Sequence, residues 1–204
     1  YYGVDEDLNA ASVAPFRAFL TQLRTGLPRD ARIHILVHSM GNRIVLKALG
    51  EDWPIDAPAQ PIDQLLLLAP DVGVSDFRRL APQVAERCRR TTLYASIHDA
   101  ALIASKSLHD EQRAGDAHPP VIVPGVETVD CSAIDITSFL GHGYYSANVD
   151  VLADLFEVIK RDRSAEERAH LKSKSTKDGV YWRWEFNAPH DLWTWHFDDL
   201  TARE

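Results

Sequence analysis

A serine, two aspartates and a histidine occupy positions from which they could act together. Ser39 lies in VHSMG, where a short apolar run gives way to a helical pattern. Asp71 and Asp99 follow two later apolar runs, and His142 lies between two glycines after a fourth run. A serine hydroxyl is a useful nucleophile at neutral pH only when a base accepts its proton and a carboxylate orients that base. These residue types therefore predict nucleophilic catalysis, with Ser39 as the nucleophile.

The elements around these residues alternate between strands and helices. Residues 33–37 are short and rich in β-branched side chains, as in a strand buried on both faces, and residues 41–49 follow with helical spacing. Further strands are predicted at residues 64–71, 91–99 and 126–132, with helical segments between and after them. Strands and helices at this spacing indicate βαβ units. The predicted fold class is therefore α/β, with a parallel sheet and helices on both faces.

A sharp strand-to-helix turn explains why a serine would stand at position 39. In a parallel sheet, ligands bind beyond the carboxyl ends of the strands. Such a turn raises the hydroxyl above the sheet, and the first amides of the helix, including the backbone N–H of Met40, point toward an oxyanion. Gly41 supplies the small residue that a tight turn needs.

Structural roles compete with the catalytic ones. Ser39 could be a helix N-cap, His142 a loop histidine bound to backbone, and Asp99 the cap of the helix that follows it. Asp71 also ends a strand and is the alternative acid. Ser75 is expected to cap the helix after the second strand.

The chain resembles the alpha/beta hydrolases, and is most similar to a bacterial esterase/lipase-like branch without an assigned substrate. The matching stretches are IHILVHSMGNR, LLLLAPDVGVSDFR, TLYASIHDAAL, HDEQRAGD and FLGHGYY. By position, the resemblance implies that Ser39 is the nucleophile, Asp99 the acid and His142 the general base, with Met40 N–H as one oxyanion donor. Val37 replaces the first glycine of G-x-S-x-G, a position where this branch carries Ala or Val.

The resemblance also implies strands that precede the nucleophile. Alpha/beta hydrolases have four further strands before the serine, so we expect the N-terminal strands of the sheet to be missing from this chain. The strand from Ile33 to Val37 would then present an open edge, which proteins avoid when it is apolar. A missing N-terminal segment or a homodimer is expected to cover that edge.

Two regions are predicted along the chain. Residues 1–160 form a partial alpha/beta-hydrolase domain, and residues 161–204 form a charged linker and an aromatic C-terminal extension that packs on it. In VYWRWEF, we expect Val180, Trp182, Trp184 and Phe186 to share one face of a half-buried strand or a clamp on the core.

Composition narrows the functional classes. With 22 basic and 30 acidic residues, the 204-residue chain has a net charge of −8, which argues against nucleic acid as a partner. No apolar run is long enough to span a bilayer, and we expect a cytoplasmic protein. Cys88 and Cys131 are interpreted as buried thiols, and the histidines lack metal-ligand spacing, so neither a metal nor a cofactor is predicted.

The predicted function is an esterase- or lipase-type serine hydrolase that acts on a small-molecule ester or thioester. Two alternatives stay open from the sequence. One is a catalytically silent binding module with a hydrolase fold, and the other is an acyltransferase, which would share the same acyl-enzyme.

Overall fold

The computed structural model describes residues 2–28, 30–50, 62–134 and 149–185. The strands in these residues are β1 (His34–His38), β2 (Ile62–Leu68), β3 (Cys88–Ala95), β4 (Val126–Asp130), β5 (Leu171–Thr176) and β6 (Gly179–Trp184). The helices are α1 (Tyr2–Ala11), α2 (Val13–Gly26), α3 (Gly41–Gly50), α4 (Val74–Ala85), α5 (Ala100–His109) and α6 (Val149–Arg161). A 3-10 helix spans Ala165–Glu167.

The described strands form one sheet in the order β1-β2-β3-β4-β6-β5. All neighbouring pairs are parallel except β5 with β6, which are antiparallel. The register pairs His38 with Leu68 and Leu68 with Tyr94, so the carboxyl ends of β1, β2 and β3 are nearly level. The predicted α/β class with a largely parallel sheet is confirmed.

The core has a layer on each face of the sheet because successive strand residues point in opposite directions. Leu65 and Leu67 of β2 pack into a cluster that includes side chains of α2, α3 and α4. Leu66 and Leu68 pack into a second cluster with side chains of α5, α6 and β6. Helices therefore cover both faces, as predicted. A continuous apolar run, LLLL, is the expected sequence of a strand buried on both sides.

Strand β1 lies at an edge of the described sheet, and the prediction that it is buried on both faces is wrong. Among the described residues it pairs with β2 alone, and Leu36 is 47% exposed. At this edge of the sheet, the described residues cover the side chain of Leu36 only in part. The β-branched pattern predicted the strand, and the resemblance implied its place at an edge of the sheet.

The segment after α6 forms two strands, although its charged sequence predicts a linker at its start. Residues 171–176, read as part of a linker, form β5, whose side chains are largely exposed apart from Leu171. Strand β6 extends the sheet beyond β4, and it buries Tyr181 and Trp184 while Val180 is exposed. Trp184 and Trp182 pack into the second core cluster, whereas Val180 does not, so the predicted half-buried face is buried only toward the end of β6. The extension beyond residue 185 lies outside the described residues.

Two local predictions have different outcomes. Ser75 does not cap α4: the N-cap is Gly73, and a carboxylate oxygen of Glu111 accepts from Ser75 N–H at 2.8 Å. That interaction with Ser75 lowers the pKa of Glu111. Cys88 and Cys131 are both free and buried, as predicted, and burial raises the pKa of Cys88 to about 12.

Candidate active site

Ser39 occupies a strained turn between β1 and α3. Its φ is 54°, in the left-handed region that side chains other than glycine rarely adopt. A residue held there costs on the order of 1–3 kcal/mol and persists only where its surroundings fix it, a situation typical of functional sites. A serine acting as a helix N-cap has β-region dihedral angles instead, so the conformation of Ser39 does not fit that structural role.

Hydrogen bonds hold this turn in place. Ser39 N–H donates to Leu68 O at 3.0 Å, so its peptide extends the pairing of β1 with β2 by one residue. Ser39 O accepts from Asn42 N at 3.1 Å, from Asn42 Nδ2 at 2.9 Å and from Asp71 N at 3.3 Å. Asn42 is fully buried. Three donors on a single carbonyl fix the orientation of the Ser39 peptide and account for the retention of the positive φ.

The side chain of Val37 explains why a small residue is needed at Gly41. A Cβ added at Gly41 would lie 3.1 Å from Val37 Cγ2, so the first turn of α3 passes close to the end of β1. Met40 precedes the helix, and its carbonyl accepts from Arg43 N at 3.0 Å and from Asn9 Nδ2 at 2.9 Å. Amides at the start of a helix have no partner within the helix. Met40 N–H shares its peptide plane with Ser39 O, which accepts the three hydrogen bonds described above, so the orientation of this N–H is fixed and suits a backbone oxyanion donor.

Asp99 follows β3 and is almost completely buried. It is the N-cap of α5, and its Oδ1 accepts from Leu102 N–H at 3.0 Å. The capping role that the sequence allowed is confirmed. Because a carboxylate has two oxygens with several acceptor positions, capping through Oδ1 is compatible with orienting a histidine through Oδ2.

Asp71 follows β2 and is also buried, but its carboxylate is surrounded by positive charge. Oδ1 lies 3.1 Å from Arg113 Nε, and Oδ2 lies 3.5 Å from Arg43 Nη2. Oδ1 also accepts from the Ser105 hydroxyl at 2.6 Å. An acid that orients a histidine must stabilise an imidazolium with its negative charge. Two guanidinium partners already offset that charge at Asp71, which favours Asp99 as the acid.

His142, the predicted base, lies outside the described residues. Among the predicted site residues that are described, Ser39 and Asp71 are in direct backbone contact. Asp99 follows the carboxyl end of β3, the strand next to β2. Among residues 2–28, 30–50, 62–134 and 149–185, no group of three or more His, Cys, Asp or Glu side chains could hold a metal ion.

Sequence reasoning missed several side chains that support the site. Asn42, Ser105 and Arg113 are buried beside the turn or beside Asp71. Arg113 belongs to EQRAGD, which has the polar composition of a surface loop. The contact of Asn42 with Ser39 is local, but Asn is common at the start of a helix and its type does not reveal this bond. The contacts of Ser105 and Arg113 with Asp71 join residues distant along the chain, for which a single sequence gives no signal.

The strand order, the helices on both faces and the strained serine turn together define an alpha/beta hydrolase fold. Comparison with protein families agrees: residues 1–161 match the family described as alpha/beta hydrolase of unknown function (DUF900), and the chain belongs to that family. The comparisons with curated proteins and with solved structures gave no match. No helix in the described part of the chain is long and apolar enough to cross a membrane.

Proposed function

We propose that this protein is a serine hydrolase that cleaves an ester or thioester through an acyl-enzyme on Ser39. The observation that carries the proposal is the turn at Ser39, which holds a serine at positive φ at the carboxyl edge of the sheet. A strand-turn-helix of this kind exposes the serine Oγ and aims the following amides at the position of an oxyanion.

In the proposed reaction, Ser39 Oγ attacks the carbonyl carbon while His142 accepts the hydroxyl proton. Asp99 orients the imidazole and stabilises its protonated form. The negative oxygen of the tetrahedral intermediate binds the Met40 N–H, and a donor of this type contributes about 3–4 kcal/mol. His142 then donates its proton to the departing alcohol or thiol. A water molecule, deprotonated by His142, releases the acid and regenerates Ser39.

Asp99 is preferred to Asp71 in this mechanism because the carboxylate of Asp71 pairs with two arginines, which offset the negative charge that an imidazolium needs. Replacing the acid of a triad by its amide typically lowers kcat by about 10⁴-fold. We therefore expect Asp99→Asn to remove nearly all turnover.

The proposal is tested by the pre-steady-state hydrolysis of p-nitrophenyl esters of short acids. A burst of nitrophenolate stoichiometric with the protein is expected because the acyl-enzyme accumulates. Ser39→Ala should abolish the burst and lower turnover by at least about 10³-fold. Ser107→Ala is the matched control, since the Ser107 hydroxyl is exposed and donates to Ile103 O within α5. Equal turnover by Ser39→Ala and the wild-type protein would refute the proposal.

A further inference from the structure

Asp71 connects the serine turn with the elements that carry the proposed acid. Its backbone binds the turn directly: Asp71 N–H donates to Ser39 O at 3.3 Å, and Asp71 O accepts from Arg43 Nε at 2.6 Å. Arg43 lies in the first turn of α3, immediately after the serine turn. Any shift of Asp71 would therefore be transmitted to the Ser39 peptide and to the start of α3.

The side chain of Asp71 reaches the other elements of the site. Its Oδ1 accepts from Ser105 of α5, the helix that begins after Asp99, and also contacts Arg113. Arg113 Nε additionally donates to the Ser105 hydroxyl at 2.9 Å. The side chains of Asp71 and Arg113 are only 5% and 4% exposed, so water screens these interactions weakly.

The loop that carries Arg113 joins the ends of two strands. Ala114 N donates to Val72 O at 2.8 Å, and Gly115 N donates to Pro70 O at 3.0 Å. On its other side, Gly115 O accepts from Ser96 N at 2.9 Å, just beyond β3. A Cβ at Gly115 would come within 2.7 Å of the Ala69 carbonyl carbon. The loop therefore fixes the spacing between the segments that follow β2 and β3.

The contacts of Arg113 are not those that would give the greatest stability. Its Nη2 is buried and has no hydrogen-bond partner in the described part of the chain. A buried donor without an acceptor reduces the stabilisation that a buried ion pair provides.

We infer that Asp71, held by Arg113 and Ser105, is a positioning residue that keeps the Ser39 turn aligned with α5 and Asp99. The inference rests on the proposed function. Asp71 does not touch the reacting atoms in this account. It acts through the Ser39 carbonyl, Arg43 and α5, so its loss misplaces the nucleophile relative to the acid and base. A misplacement of about 1 Å typically costs on the order of 10²-fold in rate.

The test measures how fast a fluorophosphonate modifies the folded protein, together with kcat and KM for a p-nitrophenyl ester. Asp71→Asn should lower both the modification rate and kcat by about 10- to 100-fold, with KM changed by less than about threefold. Ser105→Ala should lower the same rates by about 3- to 10-fold, because one hydrogen bond to the carboxylate is lost.

Matched controls separate positioning from general destabilisation. Asp76→Asn alters an exposed carboxylate that pairs with Arg79, and Ser107→Ala removes an exposed hydroxyl of α5. Both should react within about twofold of the wild-type rate. If Asp71→Asn does not fold, the same rates are measured for Ser105→Ala and Arg113→Lys instead, since both variants retain the Asp71 carboxylate.

The outcomes distinguish the inference from the proposed function. Wild-type rates in folded Asp71→Asn, or in folded Ser105→Ala and Arg113→Lys if Asp71→Asn does not fold, would overturn the inference and leave Ser39 as the nucleophile. A loss above about 10³-fold in Asp71→Asn together with an active Asp99→Asn would make Asp71 the triad acid, which also overturns the inference. A wild-type protein that is not modified at all would overturn both.

Discussion

Asp71 and Asp154 are both buried carboxylates that pair with an arginine and accept a hydrogen bond from a hydroxyl, but they join different parts of the molecule. Asp71 lies at the carboxyl edge of the sheet and contacts the backbone of the serine turn. Asp154 lies in α6, and its Oδ2 accepts from Tyr94 of β3 and from Arg168, each at 2.6 Å. The Asp71 cluster consists of Asp71, Arg43, Ser105 and Arg113, and the Asp154 cluster consists of Asp154, Tyr94, Arg168 and His170. Both combine a buried carboxylate with arginine and hydroxyl partners, but they join different strands and helices.

The cluster around Asp154 anchors the strands that follow α6. Arg168 and His170 lie just before β5, and His170 Nε2 is 2.8 Å from Asp154 Oδ1. The His170 ring also packs on Trp184 of β6, with 4.3 Å between ring centroids. Arg168 and His170 lie beyond the residues that match the family, whereas Asp154 lies within them. The Asp154 cluster therefore attaches the β5–β6 pair to the family fold.

The comparison shows that burial and charge do not by themselves identify a functional aspartate. Asp71 contacts the peptide of the strained serine. The described partners of Asp154 are instead side chains of β3 and of the segment just before β5. Loss of the Asp71 cluster should therefore affect reactivity more than loss of the Asp154 cluster. The converse should hold for stability.

The largest expected effect on stability follows from removing the arginine of the Asp154 cluster. Arg168→Met leaves a fully buried carboxylate without its main counter-charge, and should lower the free energy of unfolding by about 3–5 kcal/mol. Urea unfolding measures this change. Arg79→Met, which breaks an exposed pair with Asp76, is the control and should cost less than about 1 kcal/mol.

The same variant tests whether the two clusters are separable. The folded fraction of Arg168→Met should react with a fluorophosphonate at nearly the wild-type rate, because Ser39 and Asp71 keep their contacts. A folded Arg168→Met protein that had lost its reactivity would show that the Asp154 cluster also positions the site, and would remove the contrast between the two regions.

A smaller effect is expected in the pH dependence of stability. Burial alone would raise the pKa of Asp154, but the Arg168 charge and the hydrogen bonds from His170 and Tyr94 outweigh burial and hold that pKa below its usual value. A lowered pKa in the folded state stabilises the protein above the unfolded-state value of about 4, and this contribution is lost as the pH falls through the folded-state pKa.

The measurement compares urea unfolding of the wild-type protein and Asp154→Asn between about pH 7 and about pH 3. The difference in unfolding free energy should be constant near neutrality and should shrink toward the acid end. Asp63 and Asp162 also have lowered pKa values, but they contribute to both proteins alike. A difference that stays constant down to the lowest pH would contradict the assignment of the acid-sensitive contribution to Asp154.

Much of the fold could be predicted because it depends on local sequence patterns. The apolar run of β2 and the sharp change of pattern after β1 required no knowledge of distant contacts. Strand β5 was missed because its polar residues are exposed and only Leu171 at its start is buried, so the sequence lacks the apolar alternation of a core strand. Pairing with β6, a long-range property, stabilises it instead.

The site was predictable to the extent that it depends on a turn. The strand-turn-helix pattern at Ser39 is local, and so is the capping role of Asp99. The contacts of Asp71 with Arg113 and Ser105 depend on how a loop folds back between two strand ends. A polar loop has the same composition whether it is buried or exposed, so the sequence alone could not reveal them.

The hydroxyl of Ser39, at the strained turn, is expected to be an activated nucleophile. Peptide mapping by mass spectrometry after reaction of the folded protein with a fluorophosphonate tests it most directly. We expect one phosphonyl adduct, on the peptide that contains Ser39, which is absent in Ser39→Ala and retained in Ser107→Ala. A folded wild-type protein whose Ser39 remains unmodified, or an equal adduct in Ser39→Ala, would contradict it.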